Sequence, residues 1–184
     1  MKLQSLLEEL KEKPEYKLFQ EQNPDSFFAA AFLILDFAPN TKGYSERREH
    51  GSNEIQLDFF LPQQNRDCSK QIEPQISEGK IAAFSFPFSK PKIHEDKIEQ
   101  MKHQTTQIKI DIDDLEPKCK ELIKTNNSHI QPTKIIAILK DDIWNLTCMD
   151  DMLGIVRMKL NAITGELLDF NKGSLMEFAS TFRN

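Results

Sequence analysis

The densest group of potential metal ligands in the sequence lies between residues 94 and 103. His94, Glu95, Asp96, Glu99 and His103 carry the imidazole and carboxylate groups that bind divalent cations in proteins. However, no histidine in the chain has another His or Cys three or four residues away, the spacing at which one helix face presents two ligands. A charged segment exposed to solvent explains the same residues. We therefore predict neither a metal site nor a cofactor site.

The cysteines are the strongest potential nucleophiles. Cys148 together with a distant histidine would have the composition of a nucleophile–base pair. Yet Cys148 shares one face of a predicted strand with Trp144 and Leu146, which favours a buried, unreactive thiol. The chain has 3 cysteines, an odd number with no CxxC pair, which indicates reduced thiols and a cytoplasmic protein.

Three carboxylates lie close together in the sequence at Asp113, Asp114 and Glu116. Paired carboxylates can act as general acid and base. Asp113 or Asp114 is also well placed to cap a helix that begins there, because a carboxylate accepts hydrogen bonds from the free backbone N–H groups of the first turn. We favour the cap and predict no catalytic residue, so the sequence favours a non-catalytic protein over an enzyme.

Two predicted strands carry polar side chains at alternate positions. Asn145 and Thr147 alternate with apolar residues over residues 143–149, and Arg157 and Lys159 do so over residues 154–162. Side chains two residues apart in a strand point to the same face of a sheet. This polar face is either plain solvent-exposed surface or a surface that contacts a partner. We predict a protein or peptide as the partner, bound at these four residues.

Charge and composition argue against other partners. The chain has 24 Lys and Arg against 29 Asp and Glu, a net charge of −5, and the two signs are mixed along it. Without a basic stripe we expect no nucleic acid, because nucleic-acid binding rests on clustered Lys and Arg at the phosphates. The 6 glycines form neither GxGxxG nor GxxxxGK[ST], the common phosphate-binding loops.

Hydropathy argues against a membrane partner. The longest apolar run, Phe27 to Ala38, contains Asp36 and is shorter than the roughly 20 residues that a membrane-spanning helix needs. We interpret it as a buried strand. Three glutamates interrupt residues 1–13, where a signal peptide would need an apolar core. We expect a cytoplasmic location.

Hydrophobic periodicity predicts the elements that position these residues. Apolar residues at helical spacing predict helices over residues 2–12 and from Leu115 to Ile123, with a short second helix near Leu18 and Phe19. Apolar runs and period-two patterns predict strands at residues 27–38, 54–61, 80–86, 107–112, 134–140, 143–149, 154–162 and 166–170. Residues 39–53, 62–79 and 87–106 are predicted polar connections, weakly helical over 92–106.

The order of these elements repeats, because a helix precedes four strands in each half. We therefore predict an antiparallel α+β protein of two helix-plus-sheet halves, residues 1–112 and residues 113–184. The halves form either two domains or one domain with a pseudo-repeat. Sequence similarity between the halves is negligible, so the repeat is one of element order.

A family resemblance covers residues 115–170. The segment Ile143-Trp144-Asn145-Leu146-Thr147, the strand that ends in Asn161-Ala162, and the Thr164-Gly165 turn resemble a PepSY domain, although that family has Asp-Ala where this chain has Asn161-Ala162. The resemblance implies a cystatin-like helix and meander that binds or inhibits rather than catalyses. The chain is also similar to small uncharacterised archaeal proteins.

These observations lead to two functional hypotheses. The first is a non-catalytic cytoplasmic module that binds a protein or peptide, by strand addition at a sheet edge or by docking on the polar face. Self-association as a homo-oligomer, through sheet edges or faces, stays open. The alternative is a small-ligand-binding protein or an enzyme with its site in a cleft between the two halves.

Overall fold

Three helices and eight strands are present in the computed structural model, which describes residues 1–36, 53–63 and 78–174. The helices are α1 (Leu3–Glu12), α2 (Pro14–Gln22) and α3 (Ile112–Thr125). The strands are β1 (Phe27–Asp36), β2 (Glu54–Pro62), β3 (Gly79–Ser85), β4 (Lys92–Ile98), β5 (Lys134–Lys140), β6 (Ile143–Met149), β7 (Gly154–Asn161) and β8 (Leu167–Ser174).

These strands belong to one antiparallel sheet with the order β4-β3-β2-β1-β5-β6-β7-β8. Strands β1 to β4 follow one another in space, and so do β5 to β8. The two series meet where β1 pairs with β5, which places Phe32 opposite Ile138 and Ile34 opposite Ile136. The predicted α+β class is confirmed. The division into domains between residues 112 and 113 stays a prediction.

Alternation along the strands gives the sheet two unlike faces. Leu33, Leu139 and Leu146 belong to the same core cluster as the buried leucines of the helices, so the face that carries them packs against α1, α2 and α3. We call it the inner face. Residues that alternate with these, such as Phe32 and Ile138, point the other way, to what we call the outer face.

The helices are held by apolar stripes of the expected spacing. The buried residues of α1 are Leu3, Leu6, Leu7 and Leu10. In α2, Phe19 is buried but Leu18 is 54% exposed, so only one of the two predicted anchors packs inward. The Phe19 ring packs edge-on against Phe84, with centroids 5.2 Å apart. Such edge-to-face pairs add to the stabilisation that burial of apolar area provides.

The prediction of a strand over residues 107–112 is wrong, because Ile112 already begins α3 and no strand forms at residues 107–111. The backbone N–H groups of Lys109 and Ile110 both donate to the carbonyl of Ala162, so this segment crosses the end of β7 instead of joining the sheet. The apparent alternation arises because Ile110 and Ile112 are both buried, one before the helix and one in its first turn.

The strand that follows β3 is β4, inside the segment for which the sequence predicts weak helical character. β4 lies at the edge of the sheet, with β3 as its neighbour. Lys92, Glu95, Asp96 and Lys97 are all exposed, which hides the period-two pattern. Charged side chains are common on edge strands because they discourage pairing with other chains.

The N-cap of α3 also differs from the prediction. The cap is Asp111, whose side chain accepts a hydrogen bond from the N–H of Ile112, while Asp114 accepts one from the N–H of Asp111. Asp111 Oδ1 also accepts a hydrogen bond from the N–H of Leu3 at 2.9 Å. The same carboxylate therefore satisfies free N–H groups at the start of two helices.

None of the helices within the described residues is long and apolar enough to cross a membrane.

Candidate protein-binding surface

The four predicted partner-binding residues lie together on the outer face. Asn145 of β6 is directly opposite Lys159 of β7, and Thr147 is directly opposite Arg157. Arg157 and Lys159 are exposed, and Asn145 and Thr147 are partly buried between their neighbours. Directly opposed side chains in an antiparallel pair lie about 5 Å apart. The structure therefore brings the four residues into one patch.

This patch is part of a shallow hollow of about 320 Å³, which we call the sheet hollow. Ile136 and Ile138 of β5 line one side, and Asp169 and Asn171 of β8 line the other. Ile138 is 40% exposed, although it lies on a central strand. The surface thus combines aliphatic side chains with amide, hydroxyl and charged groups, as binding surfaces do.

The sequence prediction missed these four lining residues for two different reasons. The run from Lys134 to Lys140 is apolar at every central position, so its two faces cannot be told apart from the sequence. Asn171 lies just beyond residue 170, the predicted end of the last strand. In the structure that strand, β8, extends to Ser174. Asp169 lies within the predicted last strand, and a period-two continuation from Asp169 to Asn171 is the signal that could have found these two residues. No such signal separates Ile136 and Ile138 from the buried residues of their run.

A partly buried carboxylate lies elsewhere on the outer face, at Asp58 of β2. Gln56 Nε2 donates a hydrogen bond to Asp58 Oδ1 at 2.8 Å. Burial raises the pKa of the Asp58 carboxyl, and the hydrogen bond from Gln56 and the charge of His94 act in the opposite direction. Desolvation is the larger effect here, and it disfavours the ionised form.

The residues between 94 and 103 do not converge on one point. Glu95 forms an ion pair with Lys80 of the neighbouring strand, and the His103 ring stacks on Phe27 with centroids 5.9 Å apart. Over the described ranges, no three His, Cys, Asp or Glu side chains are grouped so that they could hold a metal ion.

Cys148 is buried in the core next to Cys119 of α3. A hydrogen bond between the two thiols and burial raise the pKa of the Cys119 thiol well above its ordinary value. A raised thiol pKa lowers the amount of the reactive thiolate. The neighbour of Cys148 is therefore a second thiol, Cys119. Because the pKa of Cys119 is raised, this thiol stays protonated and cannot serve as the base that a nucleophile needs. Cys68 lies outside the described residues.

The acidic residues at the start of α3 have structural partners. The N-terminal amine pairs with Asp113, Asp114 completes the cap, and Glu116 pairs with Lys120 one turn along the helix. Such contacts stabilise the start of a helix through its dipole and through pairs four residues apart. Asp113 and Asp114 are exposed, so these carboxylates are not gathered in a closed site.

A larger hollow of about 900 Å³ lies at the C-terminal end of α3, and we call it the helix-end hollow. Its lining includes Lys124, His129, Ile130 and Asp151. Asp151 accepts a hydrogen bond from the Thr133 hydroxyl at 2.9 Å, so part of its polar lining is already paired within the chain.

The chain matches no protein-family model, and neither a curated protein nor a solved structure is significantly similar to it. The resemblance of residues 115–170 to PepSY domains stays a prediction. In that segment, Trp144 is the second residue of β6, and the turn before β8 contains Gly165 with φ of 79°. A positive φ of this size suits glycine because it has no Cβ.

Proposed function

We propose that this protein is a non-catalytic module that binds a protein partner through the outer face of its sheet, centred on the sheet hollow. The observation that carries the proposal is the placement of Asn145, Thr147, Arg157 and Lys159 around one hollow, with the exposed Ile138 beside them.

The chemistry of the sheet hollow indicates which surface would bind there. Among its described lining residues, Arg157 and Lys159 supply cations against a single acidic residue, Asp169. Ile136 and Ile138 supply apolar contact. A segment that presents carboxylates beside aliphatic side chains complements both features, since opposite charges orient a partner while apolar burial supplies affinity.

Docking on the face is better supported than strand addition at the β4 edge. Lys92, Glu95, Asp96 and Lys97 make β4 a highly charged edge, and such edges resist pairing with another strand. The outer face, in contrast, offers apolar and polar groups together.

We place the module in the cytoplasm. Cys119 and Cys148 are free thiols that lie next to each other, and thiols stay reduced in the cytoplasm, whereas oxidising compartments favour disulfides.

Site-specific photo-cross-linking tests the proposed function. Asn171 lines the sheet hollow and is exposed, so a benzophenone amino acid at this position reports what lies against the surface. We expect covalent protein adducts when cells that make the chain are irradiated. The same amino acid at Leu18, which is 54% exposed on α2, is the control for chance collisions.

A charge-reversed chain makes the test specific. The double variant Arg157→Glu, Lys159→Glu should lose the adducts at position 171. The double variant Lys2→Glu, Lys11→Glu changes the net charge equally at exposed positions at and near α1 and should retain them. If position 171 yields no more adducts than position 18, the proposed function is wrong.

The helix-end hollow supports a second candidate function, the binding of a small molecule. Its volume of about 900 Å³ is within the range of ligand sites. The helix-end hollow lies beside α3. The small-ligand hypothesis from the sequence instead places the site in a cleft between the two halves. The halves meet where β1 and β5 pair with each other. Native mass spectrometry of the purified chain should then show a bound small molecule, and Ile130→Trp, which fills the hollow, should release it. A mass of the chain alone contradicts this candidate.

A further inference from the structure

The outer face carries opposite charges on the two sides of the β1–β5 junction. The charged outer-face residues of β1 and β2 are acidic, namely Asp36, Glu54 and Asp58. Those of β5 to β7 are basic, namely Lys134, Lys140, Arg157 and Lys159. The outermost strands differ from their neighbours, since β8 carries Asp169 and β4 carries Lys92 and His94 followed by Asp96.

An apolar strip separates the two charged regions. Phe32 and Ile34 of β1 lie directly beside Ile138 and Ile136 of β5 and point to the same face. Phe32, Ile34 and Ile136 are partly exposed, and Ile138 is 40% exposed. A contiguous block of large apolar side chains with polar surroundings is typical of a surface that contacts another protein.

This pattern is complementary to itself. A two-fold axis that lies in the interface, parallel to the strands at the junction, places β1 over β5 of a second copy and β2 over β6 of that copy. The acidic region of each copy then faces the basic region of the other, and the apolar strips meet at the axis. β4 also comes to lie over β8, which brings Lys92 near Asp169. An in-plane axis perpendicular to the strands would instead place like charges together.

The area of the face suits a stable dimer. Eight strands spaced about 4.8 Å apart span about 34 Å, and seven-residue strands are about 20 Å long. The face therefore covers roughly 700 Å² on each copy, close to the about 800 Å² per partner of a standard protein interface. Face-to-face packing of aligned sheets is a common arrangement in proteins.

We propose that the partner bound by the outer face is a second copy of this chain, packed face to face about that two-fold axis. This inference rests on the proposed function, because it names the partner of the same surface. The contact would stabilise the ionised form of Asp58, because this carboxyl is partly desolvated and its hydrogen-bond donor is the neutral amide of Gln56. Cations of the second copy would offset that desolvation.

Sedimentation equilibrium of the purified full chain tests the inference. We expect twice the 21.3 kDa mass of one chain. Ile138→Lys places a charge in the apolar strip at an exposed position and should raise the dimer dissociation constant at least about tenfold. Ile163→Lys, at a position that is 45% exposed in the turn after β7, is the matched control and should leave the mass unchanged.

A pair of charge-changed chains tests the geometry. The variant Lys140→Glu, Arg157→Glu, Lys159→Glu makes both sides of the face acidic, and the variant Glu54→Lys, Ser85→Lys removes the acidic excess of the other side, at exposed positions in each case. Each variant alone should dimerise at least about tenfold more weakly than wild type, because its two regions no longer attract each other. An equimolar mixture should form a heterodimer. Far-ultraviolet circular dichroism confirms that each variant is folded.

Two results would overturn the inference. One is a monomer mass for the wild-type chain at every concentration. The other is a dimer that persists undiminished in Ile138→Lys and in both charge variants, because the contact would then lie elsewhere. If the chain is monomeric but the benzophenone at position 171 still forms adducts with another protein, the partner is not a second copy. The proposed function then stands. The absence of both dimer and adducts overturns the two proposals together.

Discussion

Gln104 and Asp142 hold each other by two hydrogen bonds although they are 38 residues apart in the chain. Gln104 Nε2 donates to Asp142 Oδ1 at 2.7 Å, and the backbone N–H of Asp142 donates to Gln104 Oε1 at 3.0 Å. The N–H of Gln104 also donates to the carbonyl of Phe28. This residue therefore ties the connection between β4 and α3 to β1 and to the β5–β6 turn.

Replacing Gln104 with alanine should reduce the free energy of unfolding by about 1–3 kcal/mol, because the N–H of Asp142 and a carboxylate oxygen lose their partner in a partly buried environment. Gln104 is 1% exposed, so its amide is shielded from water in the folded chain. Urea unfolding followed by circular dichroism measures the change.

Gln107→Ala is the matched control for this prediction, since it removes the same side chain from an exposed position of the same segment. Gln107→Ala should change the free energy of unfolding by no more than about 0.5 kcal/mol. If the two substitutions cost the same, the hydrogen bonds between Gln104 and Asp142 contribute no net stability.

Local pattern was enough to predict several strands of the sheet. The bounds of β5 and β6 agree with the prediction to the residue, because a tight turn at Asp141-Asp142 ends one run and begins the next. Both of these residues have positive φ, 53° and 61°, a conformation that Asp tolerates better than most residues do. Period-two alternation likewise placed Asn145 and Thr147 on the same face.

What could not be predicted depends on contacts that are distant in sequence. Whether Ile110 belongs to a strand is decided by Ala162, whose carbonyl accepts a hydrogen bond from the N–H of Ile110. The apolar strip on the outer face requires β1 to lie beside β5, and nothing within either run of residues specifies that neighbour. Four polar residues of the candidate surface were therefore predicted from the sequence, whereas four others that line the sheet hollow were missed, namely Ile136, Ile138, Asp169 and Asn171.

Trp144→Phe should destabilise the fold by about 2–4 kcal/mol, since it removes a hydrogen bond and leaves a small cavity. Trp144 Nε1 donates to the carbonyl of Ile110 at 2.8 Å, and the Trp144 side chain is fully buried. This contact joins β6 to the segment that leads into α3. Thermal or urea unfolding followed by circular dichroism measures the loss.

Phe28→Leu is the comparison for Trp144→Phe, because it shortens a buried aromatic side chain of the same core without removing a side-chain hydrogen bond. We expect a loss of about 1.5 kcal/mol or less, as for other swaps between large apolar residues. A smaller loss for Trp144→Phe than for Phe28→Leu would show that the bond to Ile110 is unimportant for stability.

At protein concentrations low enough to keep the chain monomeric, Asp58→Asn should stabilise it relative to wild type as pH rises. Burial raises the pKa of Asp58 above its ordinary value of 3.8, so the folded chain binds this proton more tightly than the unfolded chain does. The free energy of unfolding of the wild type therefore falls as pH rises from 3.8 through the raised pKa of Asp58. It stays lowered by the full amount at higher pH. An asparagine side chain does not ionise, so the variant avoids this loss. Urea unfolding at a series of pH values measures the difference.

Two further variants isolate Asp58 in that experiment. His94, whose charge lowers the pKa of Asp58, is replaced by Gln in both chains so that its charge does not enter the comparison. Glu54→Gln, the control for a general charge effect, removes a negative charge from an exposed position of the same strand. A stability difference between Asp58→Asn and its parent that is constant with pH would show that burial does not affect this carboxyl.

Cys119 and Cys148 should be unreactive towards a thiol reagent such as 5,5′-dithiobis-(2-nitrobenzoate) as long as the chain is folded. Both side chains are 0% exposed, and the hydrogen bond between them together with burial raises the pKa of Cys119, so little thiolate forms and the reagent cannot reach it. In a Cys68→Ser background, no thiol should react at once in buffer, and two should react in denaturant. Ile163→Cys in the same background adds a thiol at a position that is 45% exposed in the turn after β7 and should react immediately. Rapid reaction of one native thiol without that addition would mean that Cys119 or Cys148 is accessible, and a nucleophilic role for Cys148 would again have physical support.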